Sequence, residues 1–144
     1  MGLHDRLTKS GNGGQAEATI TRIESAVREN MPYDEFARQL VTASGSTLAN
    51  PPANFYRTAG DVNDCTETAS QLFLGIRIQC AKCHNHPFER WTQDNYYGIA
   101  AFFTRVQRKK TADENDMVVW SARSGEITQP RTQKTMKPWA PLKG

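Results

Sequence analysis

A five-residue motif, Cys80-Ala81-Lys82-Cys83-His84, constrains this chain more than any other feature of its sequence. The Cys-x-x-Cys-His pattern is the attachment signature of a c-type haem. Two thiols three residues apart reach two vinyl groups on one edge of a porphyrin as the backbone curls past it. The next side chain then lies below the ring, where its imidazole nitrogen meets the iron. The motif therefore predicts one covalently attached haem c, with thioether bonds to Cys80 and Cys83 and with His84 as the proximal axial ligand.

Seven aromatic residues lie close to the motif in the sequence. A porphyrin needs a dry, flat, aromatic-lined slot, because burial of the macrocycle sets its potential. Ordinary core packing is the other role open to each of these rings. The seven are Phe73, Phe88, Trp91, Tyr96, Tyr97, Phe102 and Phe103.

The sixth ligand of the iron is not singled out by the sequence. His86 lies two residues beyond His84 and cannot cross to the opposite face of the same ring, so a structural role for His86 is favoured. Methionine is a common sixth ligand and raises the potential. The candidates are His4, Met31, Met117 and Met136. Met117 is slightly favoured because it lies on a predicted ordered element, and an open sixth position is a further alternative.

Three other chemistries of the same residues stay open. A structural zinc site would recruit Cys65, both motif cysteines and either His84 or His86, although zinc ribbons usually pair two such knuckles. A thioredoxin-like disulfide motif would open a helix, whereas this motif is predicted to close one. A haem peroxidase or oxidase would need distal polar groups beside an open sixth position, and Arg77 or His86 would have to supply them. Cys65 itself is expected to be a small buried side chain.

Apolar residues recur at helical spacing in four segments. The predicted helices span residues 16–30, 33–43, 64–79 and 92–106. Pro32 separates the first two helices. Asp64 is expected to cap the third helix, with Glu67 reaching back, and Thr92 is expected to cap the fourth. The motif would then follow directly from the third helix.

The remaining segments predict loops and one hairpin. Residues 44–60 are expected to form a long ordered loop, because the consecutive prolines at 51–52 cannot donate backbone hydrogen bonds. Residues 117–120 are typical of a short strand, 124–125 of a turn, and 126–129 of a returning strand. The predicted fold is mainly α, a small cytochrome c-like helical domain with a short C-terminal β-hairpin.

Length and composition suit one domain with a modest core. Of the 144 residues, 38% are apolar and 23% are charged, and no apolar run approaches the roughly 18 residues of a membrane span. The chain is therefore expected not to be membrane-integral. The predicted division is a flexible N-terminal segment over 1–15, a haem domain over 16–130 and a basic, Pro-rich tail over 131–144.

The net charge of +3 is too small, and too little interleaved with aromatic residues, to indicate a nucleic-acid binder. A local basic run is expected to be the solvated end of the fourth helix. Its members are Arg105, Arg108, Lys109 and Lys110. Cationic redox proteins use such patches to attract acidic partners, so a weak docking role stays open.

The central block of the sequence, 73–91 followed by 94–98, resembles the planctomycete cytochrome c-like domain family. Further blocks that resemble this family lie at 29–36, 50–56, 122–126 and 130–132. Together they extend the resemblance over about 28–142. Cys65 departs from the residues usual in the family at its position, which argues against an essential role for it.

The resemblance implies a haem domain from large secreted or envelope proteins, so we expect a periplasmic, envelope or extracellular location. The first thirty residues lack a secretory signal pattern, so either a leader was removed or the chain is one piece of a longer precursor. Electron transfer is expected rather than catalysis. The expected partner is a redox protein, either acidic or another cytochrome domain, and the chain is expected to belong to a larger polypeptide or assembly.

Overall fold

The structure is a computed structural model that describes residues 13–141. Its elements are α1 (Gly13–Arg28), α2 (Tyr33–Val41), β1 (Gly45–Ser46), a 3₁₀ turn (Pro51–Asn54), α3 (Phe55–Thr58), α4 (Val62–Phe73), a second 3₁₀ turn (Gln79–Lys82), α5 (Gln93–Ala100), β2 (Val106–Lys110) and β3 (Met117–Ser121). The described chain is mainly helical with a small three-stranded sheet, which confirms the predicted fold class. None of its helices is long and apolar enough to cross a membrane.

The described residues form two compact units. Unit 1 contains the residues up to Thr58 together with Gln107–Trp120, and unit 2 contains Ala59–Val106 together with the residues from Ser121 onward. The predicted helices α1 and α2 lie in unit 1, and both are confirmed. The predicted division of the chain at residues 15 and 130 stays a prediction.

The segment 44–60, predicted to be a loop, contains one short strand and two helical turns. Pro51 occupies the start of the first turn, where a missing backbone N–H costs nothing because that donor has no helical partner. Asn54 is buried and donates from Nδ2 to the carbonyls of Thr47 and Pro51, at 3.1 and 3.0 Å. These bonds hold the 3₁₀ turn that contains both prolines, so the prediction of one long ordered loop over 44–60 was wrong in that regular elements interrupt it.

The sheet has the strand order β1-β3-β2, and Gly45 and Ser46 of β1 pair antiparallel with Val119 and Val118 of β3. Asp116 fixes the entry to β3. Its Oδ1 accepts hydrogen bonds from Ser46 Oγ at 2.8 Å and from the two residues that follow Ser46 in the chain. The bond from Ser46 is the main cause that holds the pKa of the Asp116 carboxyl below its ordinary value.

The strand at 117–120 is confirmed, but its predicted partner was wrong. Strand β3 pairs with β1 and β2, whereas 126–129 contributes only an isolated bridge between Thr128 and Thr135. The fourth predicted helix is α5 in the structure. It ends at Ala100 instead of residue 106, so the basic run does not lie at a helix end. Most of that run forms β2, where a polar sequence becomes a strand because the apolar β3 pairs with it.

Helix α4, in unit 2, begins and ends earlier than predicted. Asp61 is its cap and accepts from the Asp64 N–H at 2.9 Å, so Asp64 lies inside the first turn. The helix ends at Phe73 because Gly75 adopts a left-handed conformation, with φ of 67°. The motif is therefore separated from α4 by a non-helical segment, and the prediction that it closes this helix was wrong.

Helix α5 begins as predicted. Thr92 accepts from the Asn95 N–H, and the Asn95 side chain accepts from the Thr92 N–H, which completes a capping box. The C-terminal segment of unit 2 contacts the same helix. The backbone N–H of Trp139 donates to the Gly98 carbonyl at 3.0 Å. The core of unit 2 includes the fully buried side chains of Ile78 and Tyr96.

Candidate functional site

The motif lies on the second 3₁₀ turn and the two residues after it. The Cys80 carbonyl accepts from the N–H groups of Cys83 and His84, the latter at 3.4 Å, so the backbone makes one tight curl. Cys80 and Cys83 are exposed thiols that form no disulfide, and His84 is exposed as well. The curl expected from the spacing is present, and all three side chains are accessible to a ligand.

The ring of His84 is held by the carbonyl of the next residue. Its Nδ1 lies 2.7 Å from the Asn85 oxygen. A carbonyl oxygen only accepts, so Nδ1 carries the proton and donates it. The lone pair of a neutral His84 is therefore on Nε2. Histidines that bind metals ordinarily donate their second ring N–H in this way, which fixes both tautomer and ring orientation.

His86 has a structural role. Its ring Nδ1 accepts from the backbone N–H groups of Phe88 and Glu89, at 3.2 and 3.0 Å. The backbone N–H of His86 donates to the Trp91 carbonyl at 2.8 Å. These three bonds fold residues 86–91 into a closed loop. Because Nδ1 accepts these bonds, the proton of a neutral His86 lies on Nε2, and that nitrogen has no lone pair to act as the distal base of a peroxidase.

The first residue of α5 holds the motif turn. Gln93 is only 4% exposed, and its Nε2 donates to the Lys82 carbonyl at 3.0 Å, which also accepts from the Tyr97 hydroxyl at 3.3 Å. The backbone N–H of Gln93 donates to Asn85 Oδ1 at 3.1 Å. Burial raises the pKa of the Tyr97 hydroxyl, and the nearby Cys83 side chain raises it further.

The side chain of Lys82 joins the motif to α4. Its Nζ lies 3.7 Å from Glu67 Oε1, which also accepts from the hydroxyl of the fully buried Tyr96 at 3.0 Å. Asn63 Oδ1 lies 3.2 Å from the same hydroxyl. Burial, and then the hydrogen bond to Glu67, raise the pKa of Tyr96 far above its ordinary value. The turn is thereby anchored to both helices of unit 2.

A comparison with protein-family models gives a match over residues 14–108, which include the whole motif, to a family described as a protein of unknown function (PSCyt2, DUF1549). The chain belongs to the PSCyt2 family. Neither a curated protein nor a solved structure matches it. The match covers the central block on which the resemblance rests, while the blocks at 122–126 and 130–132 lie beyond it.

The seven aromatic residues near the motif of this PSCyt2 chain divide into core and surface. Core packing accounts for four of them, which are buried: Trp91, Tyr96, Tyr97 and Phe103. Phe88 is 92% exposed and Phe102 is exposed, while Phe73 is half-buried. Phe88 is presented by the closed loop of His86, four residues after His84.

Cys65 lies apart from the exposed thiols of the motif. It is fully buried in α4, as expected, and its Sγ lies 3.6 Å from the Ala59 carbonyl. Within 13–141, no three His, Cys, Asp or Glu side chains are grouped closely enough to hold a metal ion. The zinc alternative needed Cys65 beside the motif, and the arrangement of these residues does not support it.

The candidates for a sixth ligand lie in different parts of the chain. His4 lies outside the described residues. Met31, whose Sδ accepts from Arg22 at 3.8 Å, and Met117 both belong to unit 1. Met136 is half-buried in unit 2, the unit that contains the motif, and its N–H donates to Ile127.

Sequence reasoning missed the contacts of Gln93 and Asn85 with the motif turn, and it considered Tyr97 only as a slot-lining or core-packing ring, not as a hydrogen-bond donor. The bonds span 8 to 15 residues, so no short pattern encodes them. The nearest signal is the Thr92 cap, which makes Gln93 the first residue of a helix that starts soon after the motif loop.

Proposed function

We propose that this chain is a monohaem c-type domain that binds haem covalently and transfers electrons outside the cytoplasm. One observation carries the proposal: two accessible thiols and an accessible imidazole, whose Nε2 holds the lone pair, share a single backbone curl. If Cys80 and Cys83 acted as a redox dithiol instead, the tautomer of His84 would have no role.

Each residue of the motif has a distinct part in this function. Cys80 and Cys83 would hold the porphyrin edge by thioether bonds, and His84 Nε2 would be the proximal ligand. The Asn85 carbonyl keeps the proton on Nδ1, which orients the ring and leaves the lone pair of Nε2 for the iron. The bound haem would supply an iron that cycles between the ferric and ferrous states.

Location and partner follow from the chemistry of attachment. Covalent attachment of haem c occurs outside the cytoplasm, so the proposal places the working protein in the periplasm, envelope or extracellular space. The partner would be a redox protein, either acidic or another cytochrome domain. The exposed Lys109 and Lys110 of β2 are the basic side chains that would attract an acidic partner.

Haem retention after acid-acetone extraction tests the proposal. The full chain is produced in a bacterial periplasm together with a c-type haem attachment system, and bound haem is measured per chain from the absorption spectrum. The wild type is expected to retain one haem. Cys83→Ala is expected to lose one thioether and to retain haem weakly, and His84→Ala is expected to lose the low-spin spectrum.

Cys65→Ala is the matched control, because Cys65 is the cysteine outside the motif. It is expected to retain haem like the wild type. A colourless wild-type protein with one zinc ion per chain, or with a disulfide between Cys80 and Cys83, would overturn the proposal. Rapid binding of carbon monoxide to the reduced haem protein would point to catalysis at an open sixth position instead of electron transfer.

A further inference from the structure

We propose that Gln93 is the positioning residue for His84. It bonds to the two residues that lie on either side of Cys83 and His84: its side chain holds the Lys82 carbonyl, and its backbone N–H holds the Asn85 side chain. A single residue thus fixes both ends of the segment that presents the imidazole. The inference rests on the proposed function, which supplies the reason for presenting an Nε2 lone pair.

The two bonds hold the segment that carries His84 and Asn85 from both sides, and so they act on the tautomer of His84. The Asn85 carbonyl accepts the His84 Nδ1 proton, and the Asn85 side chain is tied to the start of α5 by the Gln93 N–H. On the other side, the Lys82 carbonyl is fixed by Gln93 and Tyr97, so the peptide between Lys82 and Cys83 cannot rotate without breaking both bonds. The acceptor of the Nδ1 proton therefore stays in place.

A second observation distinguishes positioning from ordinary packing. Gln93 Oε1 is buried and has no hydrogen-bond partner among the described residues, so the amide carries a desolvation cost that an apolar side chain would not. The amide group is oriented by its N–H bond to Lys82, so the oxygen cannot exchange places with the nitrogen. If Gln93 only filled space in the core, methionine would fill it equally well, because it has a similar length and no buried acceptor.

The test compares Gln93→Met with the wild type in the full chain before haem attachment. Nitrogen-15 NMR of the histidine rings reports whether His84 carries its proton on Nδ1 or Nε2. The wild type is expected to show the Nδ1–H form. Gln93→Met removes the side-chain bond to Lys82 and keeps the backbone bond to Asn85, and it is expected to reduce the ratio of the Nδ1–H form to the Nε2–H form by up to about fivefold, the effect of one hydrogen bond. The melting temperature is expected to stay within a few degrees of the wild type.

Gln71→Met is the matched control, since Gln71 is exposed on α4, and it is expected to leave His84 unchanged. Tyr97→Phe is the second variant if Gln93→Met does not fold. It removes the other donor to the Lys82 carbonyl. It is expected to reduce the ratio of the Nδ1–H form of His84 to the Nε2–H form by a smaller factor.

Folded Gln93→Met with an unchanged His84 tautomer overturns the inference, and so does an unchanged tautomer in Tyr97→Phe when Gln93→Met does not fold. In the haem-loaded protein, the expected signature is easier displacement of His84 from the iron by added imidazole. A wild type that never attaches haem refutes the proposed function alone, because the response of His84 in the haem-free chain still supports the positioning role of Gln93.

Discussion

The hydroxyl of Tyr96 is the buried polar group whose removal gives the most specific stability signature in unit 2. The side chain is fully buried, and its O–H donates to the Glu67 carboxylate at 3.0 Å, with Asn63 Oδ1 at 3.2 Å. Tyr96→Phe removes this donor and keeps the ring. Glu67 then keeps its ion pair with Lys82, at 3.7 Å.

The expected loss at neutral pH is about 2 kcal/mol of unfolding free energy, since hydrogen bonds to charged groups contribute about 1.5–3 kcal/mol. The loss depends on pH in a defined direction. Burial and Glu67 raise the pKa of folded Tyr96, whereas the unfolded side chain ionises near pH 10. The stabilisation is therefore complete below pH 10 and is lost as the pH rises, by about 1.4 kcal/mol at pH 11.

Urea denaturation of the wild type and of Tyr96→Phe at pH 7 and pH 11 measures both effects. The difference between the two proteins is expected to narrow from about 2 kcal/mol at pH 7 to about 0.6 kcal/mol at pH 11. Tyr33→Phe is the control, because Tyr33 is 57% exposed, and it is expected to change stability by less than about 0.5 kcal/mol. A difference that stays constant with pH would refute the role assigned to the hydroxyl.

Three further substitutions test the packing and caps, each by denaturation against the wild type. Gly98→Ala is expected to cost about 1 kcal/mol, because the new Cβ would lie 2.8 Å from Trp139 Cβ, and overpacking outweighs the better helix propensity of alanine. Asp116→Asn is expected to lower the free energy of unfolding at neutral pH, because it removes the carboxylate that accepts from Ser46. The pKa of this carboxyl is lowered in the folded protein, so the wild type loses the stabilisation when the group is protonated. The variant is therefore expected to lose less stability than the wild type below about pH 4. Asp61→Ala is expected to cost about 1 kcal/mol through the lost helix cap. An unchanged unfolding midpoint would contradict each expectation, and for Asp116→Asn so would an unaltered acid limb.

The local parts of the fold could be predicted from the sequence because their signals are local. Helices α1 and α2 follow from apolar periodicity, and the start of α5 follows from Thr92, whose capping bond closes within three residues. The cap of α4 was misplaced by three residues because Asp61 and Asp64 have the same side chain. Only the backbone conformation decides which of the two accepts and which donates.

Features that depend on distant pairing could not be predicted. The sequence of β2, Val-Gln-Arg-Lys-Lys, has no apolar alternation, and it becomes a strand because β3 pairs with it. Gly75 was the visible signal for the end of α4, but the apolar residues on both sides of it continued the helical period. For the candidate site, the pattern predicted the curl of the motif, whereas the hydrogen bonds from Gln93 required the structure.

The turn that carries the motif is linked to a part of the chain beyond the family match, which ends at residue 108. The last carbonyls of a helix lack partners within it, and Trp139 N–H supplies one for Gly98 in α5. At the other end of α5, Gln129 Nε2 donates to Asp94 Oδ1 at 3.0 Å. Because α5 in turn holds the motif turn through Gln93, the C-terminal segment and the motif form one hydrogen-bonded structure. The hydrogen-bonded structure that holds the motif therefore extends beyond the residues matched by the family model.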